Sequence, residues 1–268
     1  MAWLSPPLRV AAELAPTVWT FAAAEPKGDG AARFVAARAI AATGAALGDD
    51  VRAFRRAAKL PMDVSVILWP RADDAGVTPM ESRDAAEVVV PGARVLRERL
   101  APLVRAGGLV TGVWLPHECF ARLCASRGLA SACVIVAHPG MTCVGFVHDG
   151  VVRARYLSSA APRQTFDSES ARLLARYQHI ASLAPHVREL GGAGPGVRVL
   201  VAGHLADLRA AMVPLVEELD HEIDVLDADL PGVAPHALEG TDAGELAGSQ
   251  LAWALASSVP GAPGPQGR

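Results

Sequence analysis

The chain has 268 residues, 51% of them hydrophobic and 20% charged, which supplies a large core for one or two domains and excludes disorder throughout. Its 25 basic and 28 acidic residues leave a formal net charge of −3, with both signs mixed along the sequence, so no basic field exists to neutralise a phosphate backbone and nucleic acid is not an expected partner. Pro6 and Pro7 stand where a secretory apolar core would lie, and no uncharged apolar run reaches the roughly 18 residues of a spanning helix, the mixed segment Ala130–Val147 being broken by His138, Pro139 and Gly140. Cys119, Cys124, Cys133 and Cys143 fall in one apolar window, as buried reduced thiols do. The expectation is a cytoplasmic protein with no direct membrane insertion.

In chain order, Leu8–Leu14, Val18–Ala24 and Ala32–Ile40 read as strands, Asp50–Ala58 as a helix, Val64–Trp69 as a strand and Val95–Arg105 as a helix. Leu109–Trp114 then reads as a strand and His117–Ser126 as a helix, while Arg71–Glu87, with Pro79 and several charges, is a surface excursion. Beyond Gly128 the pattern begins again. Ala132–Ala137, Thr142–His148 and Val151–Leu157 form an antiparallel meander, the last two joined by Asp149-Gly150, which favours a two-residue type I′ turn. A helix from Ser168 to Leu190, with Asp167 as N-cap, stops at Gly191-Gly192. Strand Val197–Ala202, helix Leu205–Leu219, strand Glu222–Leu226 and helix Glu245–Ser258 follow, and a Pro- and Gly-rich tail from Pro260 is expected to be disordered. The predicted architecture is α/β: two βββαβαβα units with mixed sheets, the first over 1–128, the second over 129–259, with a tail at 260–268.

Local words within this frame carry a resemblance. Arg105-Ala106-Gly107-Gly108-Leu109, followed by Pro116-His117-Glu118-Cys119-Phe120-Ala121, resembles a passage of the PilM-like pilus assembly proteins, with the GspL and FtsA proteins as related alternatives. These belong to the actin-like ATPase superfamily, so the resemblance implies a duplicated ribonuclease H-like fold. It also marks Val134–Val147 as the second of two phosphate hairpins and Val199–Leu208 as the turn that holds adenosine.

Phosphate chemistry of that kind needs a carboxylate to hold magnesium and a glycine turn whose amides can approach the phosphates. The Asp-x-Gly of the first hairpin matches Glu13-Leu14-Ala15, followed by Pro16 and Thr17: the glycine is gone and Pro16 removes an N–H. In the second hairpin it matches His138-Pro139-Gly140, with Thr142 at a hydroxyl position, so Gly140 and Thr142 fit but the carboxylate has become His138. The adenosine turn keeps one glycine, Gly203, and Glu118 is retained in the connecting passage although Pro116 stands where the resemblance places Asp. Glu13, Ala15, Thr17, Glu118, His138, Gly140, Thr142 and Gly203 are therefore read as a vestigial nucleotide-binding set with no catalytic residue.

Plainer readings accompany each of these. An acidic residue in a first helical turn, such as Glu118, is favoured by the helix dipole alone, and Glu13 at a strand end reads as a solvated carboxylate. The His and Cys residues lack the paired spacing of a structural zinc site, and no nucleophile elbow accompanies Cys119. The functional expectation is a cofactor-free, non-catalytic scaffold of a membrane-bound pilus or secretion complex. Its partner, implied by the resemblance, is a short cytoplasmic peptide of an inner-membrane protein, although Arg71–Glu87 is too short for the extra subdomain of PilM-like proteins. The alternatives are an active ATPase or phosphotransferase using Glu13 and Glu118 with ATP and magnesium, and a stand-alone pseudoenzyme.

Overall fold

The computed structural model describes residues 8–27, 32–42, 46–70, 93–139, 141–158, 169–192, 194–205, 207–219 and 223–258. The expected excursion Arg71–Glu87, the cap Asp167 and the tail from Pro260 lie outside the described residues.

The first sheet is built from β1 (Arg9–Leu14), β2 (Val18–Pro26), β3 (Ala32–Ala41), β4 (Asp63–Leu68) and β5 (Leu109–Trp114), with α1 (Leu47–Ala57) and α2 (Ala93–Arg105) between its later strands. Its strand order is β3-β2-β1-β4-β5, with the first three strands antiparallel and β1, β4 and β5 parallel. After a 3-10 turn at Pro116–Cys119 and α3 (Phe120–Ser126), the second sheet repeats the plan. Here β6 (Ser131–His138), β7 (Met141–His148) and β8 (Val151–Ser158) form the meander. Then α4 (Glu169–Ala181) and α5 (Leu183–Leu190) lead to β9 (Arg198–Ala202), α6 (Leu208–Leu219), β10 (Ile223–Val225), α7 (Ala243–Gly248) and α8 (Gln250–Ser257). Read from its meander edge, the second sheet runs β8-β7-β6-β9-β10, the same topology as the first.

The expected hairpin forms with His148 opposite Val151, and Asp149 and Gly150 both take positive φ, 47° and 81°, as a type I′ turn requires. The central strands β1 and β6 are buried along almost their whole length, because each has a strand on both edges and helices on both faces. The expected helix His117–Ser126 opens as the 3-10 turn before α3, and two further helices expected to be continuous are broken. The Ser168–Leu190 stretch divides at Ser182, whose hydroxyl donates to His179 O at 2.6 Å. The closing helix divides at Ser249, whose hydroxyl donates to Glu245 O at 2.6 Å. Hydroxyls that bond the preceding turn compete with the helical ladder, a local event that the hydrophobic period passes over. A further 3-10 turn at Pro235–Leu238 was not expected from the sequence.

The terminal helices cross between the two units. α3, which closes the first unit, packs on β6, β7 and β8, whereas α8, which closes the second, packs on β1, β2 and β4. The two helices also meet each other, so the middle layer of the molecule is one core shared by both sheets. Every residue of α8 from Leu251 to Ala256 is buried, which accounts for a helix that is apolar all round. Separate outer cores lie under α1 and α2 on one side and under α4, α5 and α6 on the other.

Phe120 fixes the crossing of α3. It is fully buried, and a Cβ added at Gly145 of β7 would lie 2.7 Å from its ring carbons. Phe120→Ala is expected to cost about 3–5 kcal/mol and Gly145→Ala about 1–3 kcal/mol in urea denaturation. Pairing Gly145→Ala with Phe120→Leu should cost less than the sum of the single changes, whereas strict additivity would show that the two do not share one space.

Candidate functional site

The two hairpins that the resemblance marks as phosphate loops point at one another across the middle layer. Glu13 is the penultimate residue of β1, held ahead of a tight turn in which Ala15 N–H donates to Val18 O at 3.1 Å. His138 is the last residue of β6. Both side chains are buried, and His138 Nε2 lies 2.9 Å from Glu13 Oε1. Sequence reading placed Glu13 in solvent. The structure corrects this: Glu13 is 1% exposed, because the second unit closes over the strand end.

A third group completes the contact. Trp69, just past the end of β4, donates its indole N–H to the same Glu13 Oε1 at 2.7 Å and stands edge-on to the His138 ring at 4.9 Å between centroids. Both donors converge on Oε1, and Oε2 has no partner among the described residues. The other nitrogen of His138, Nδ1, faces the backbone N–H of His204 at 3.4 Å. A carboxylate only accepts and a backbone N–H only donates, so the arrangement is satisfied by an imidazole carrying its proton on Nε2.

Gly203 makes this approach of His204 possible. Its φ is +123°, and an added Cβ would fall 2.0 Å from Ala137 O, so the turn after β9 lies directly on the backbone of β6. A second bridge between the units lies nearby, where the buried Thr20 hydroxyl of β2 donates to Gly248 O at 2.8 Å. Around Trp69 the packing continues through Tyr156, whose ring is edge-on at 6.1 Å and whose hydroxyl lies 2.8 Å from His117 Nδ1. Burial raises the Tyr156 and Cys143 pKa values well above their ordinary ones and lowers that of His117, against a weaker opposing pull from Glu118.

The remaining sequence-derived residues divide. Ala15 is buried in the first turn, while Thr17 is exposed, its carbonyl accepting from Ala42 N–H at 2.9 Å. Thr142 is buried, with its hydroxyl 3.1 Å from His179 Nε2. Glu118 is turned onto its own backbone: its carboxylate accepts from Leu115 N–H, and its N–H donates to Leu115 O at 3.1 Å. That is a capping arrangement. Gly140 lies outside the described residues. Trp69, Tyr156 and His204 are the parts of the cluster that sequence reading missed; Trp69 alone left a signal, an indole ending an apolar strand next to Pro70.

A thiol nucleophile finds no support in this geometry. All four cysteines are buried, and burial pushes Cys124 and Cys133 up to about 12. Among the described residues no group of three or more His, Cys, Asp or Glu is placed to hold a metal ion, and no helix is long and apolar enough to cross a membrane.

No protein-family model matches the chain, and no curated protein matches it. Solved structures do. Ethanolamine utilization protein EutJ from Carboxydothermus hydrogenoformans superposes with a TM-score of 0.55 at 15% identity, covering 91% of each chain. The PilM-PilN type IV pilus biogenesis complex superposes with a TM-score of 0.59 at 12% identity, covering 92% of this chain and 97% of that one. The chain thus has the duplicated, ribonuclease H-like fold of the actin-like ATPases.

Removing one partner of a buried hydrogen-bonded pair strands the other, so Glu13→Ala and His138→Ala are each expected to cost about 1–3 kcal/mol. A double-mutant cycle followed by urea denaturation should give a coupling of about 1–3 kcal/mol, and an additive result would show that the hairpins are not joined through this bond. The pKa of His117, and of His179, is lowered by burial. The unfolded chain, with its histidines near pH 6.5, therefore binds more protons than the folded one as the pH drops. Stability should fall from pH 7.5 to 5.5, less steeply in His179→Gln, and a melting temperature flat across that window would contradict the buried neutral imidazoles.

Proposed function

We propose that this chain is a non-catalytic scaffold on the actin-like fold, serving a membrane-bound pilus or secretion assembly complex by binding a short cytoplasmic peptide of a membrane partner. The observation that carries the non-catalytic part is the Glu13 to His138 hydrogen bond, buried at 2.9 Å between the two phosphate hairpins. A magnesium nucleotide would have to part the hairpins, expose Glu13 and displace Trp69 from it.

The residues present do not suit that ligand. The first loop offers Ala15 and Pro16 where amides should meet phosphate, and the second offers an imidazole where a carboxylate should hold magnesium through its waters. Glu118, the remaining acidic candidate, is taken up by its own helix start. The assembly part of the proposal is supported by full-length likeness of fold to PilM, which was solved together with PilN. It agrees with a chain whose described helices include none fit to span a membrane, so that recruitment would run through a partner.

Calorimetry of the full chain with magnesium and ATP tests the reading. A charge-assisted hydrogen bond to the nucleotide is worth about 1.5–3 kcal/mol, so a site without two or three of them holds ATP at about millimolar affinity or weaker. A low-micromolar dissociation constant, or steady hydrolysis abolished by Glu118→Ala, would overturn the scaffold and establish an ATPase in its place.

A further inference from the structure

We infer that the groove between β3 and α1 receives the partner as an extended peptide, with an apolar side chain seated in the groove and a Lys or Arg beside it; this rests on the scaffold reading above. The groove has a volume of about 490 Å³. Its helix wall is the stripe Asp50, Ala53, Phe54 and Ala57, and its other wall is the end of β3, including Ile40 and Ala41. Ile40 and Phe54 belong to the outer core of the first unit, so the floor is apolar, and the small Ala53 and Ala57 leave room above it.

The strand wall selects an extended ligand. Among the described residues β3 is the outermost strand of its sheet, and Ala42 N–H donates inward to Thr17 O. With Val18 opposite Ala41 and Thr20 opposite Ala39, the antiparallel alternation turns the backbone N–H and C=O of Ala39 and Ala41 away from β2, toward the groove edge. Ala39 N–H meets Glu245 Oε1 of α7, which packs on β3, at 3.5 Å, and the carbonyl of an added strand would replace this long contact. An edge strand beside a helix is the geometry by which strand addition gives affinity and a side-chain pocket gives specificity.

Charge selects the rest. At one end Arg38 lies 3.6 Å from Glu245, and in the first turn of α1 Asp49 lies 3.5 Å from Arg52. Asp50, exposed at the groove mouth, has no ion pair among the described residues, so the groove presents an apolar floor beside one uncompensated carboxylate. A cytoplasmic segment next to a membrane span is enriched in Lys and Arg, which is the complement required.

The test uses the full chain and an array of synthetic heptapeptides bearing Leu or Phe flanked either by Lys or by Glu. The Lys-flanked set should bind and shift the backbone amide resonances of Ala39 and Ala41. Ala53→Arg, at an exposed helix position where folding can be verified by melting, should weaken binding by about tenfold or more. Asp50→Lys should move the preference to the Glu-flanked set. Lys-flanked peptides that bind both variants as well as the parent chain would refute the groove while leaving a peptide-binding scaffold standing. Absence of binding to any peptide would also refute it, with the scaffold then judged by the nucleotide titration alone. A dimer abolished by Ala53→Arg would give the groove to a second copy of the chain and overturn the assignment.

Discussion

A carboxylate with 1% of its surface exposed is the constraint on which the middle of this molecule depends. Taking an ionised carboxylate out of water costs several kcal/mol even after the surroundings relax, and only well-placed donors offset it. Glu13 has two, the imidazole of His138 and the indole of Trp69, both on one oxygen. They come from different units of the chain, so the donors exist together only when the two units are closed on each other. The pair therefore acts as a condition on closure: separated, the hairpins would leave His138 without its acceptor and Glu13 with one donor fewer.

The exchanged helices work in the same direction. α3 and α8 each belong by sequence to one unit and by packing to the other, and the Thr20 hydroxyl on Gly248 adds a further bond across the divide. The C-terminal end of α8 is tied down as well, with Arg9 reaching Ser258 O and Arg122 reaching the Ser258 hydroxyl at 2.8 Å. A cleft that admits a ligand needs a low-cost way to open, and these contacts oppose opening.

Much of the fold was legible in the sequence, because its signals are local. Apolar runs bounded by turn residues gave every strand of the two sheets, Asp149-Gly150 gave the firmest hairpin, and Gly191 ended α5 where a helix was expected to stop. The repeated element order gave the duplication, which the two equal strand orders bear out. The breaks at Ser182 and Ser249 were not legible, since an apolar period runs on through a residue whose hydroxyl turns back onto the preceding turn.

The site shows the other half of the division. The sequence by itself determined that Ala15 and Pro16 follow the end of β1 and that His138 and Pro139 stand where β6 turns back, because these are matters of residue identity. Only the tertiary structure decided that Glu13 is buried, that His138 lies 2.9 Å from it across 125 residues of chain, and that Trp69 donates to the same oxygen. A side chain's solvation and partners depend on what the rest of the chain brings to it, and here that partner comes from the opposite unit, which no local pattern around Glu13 records.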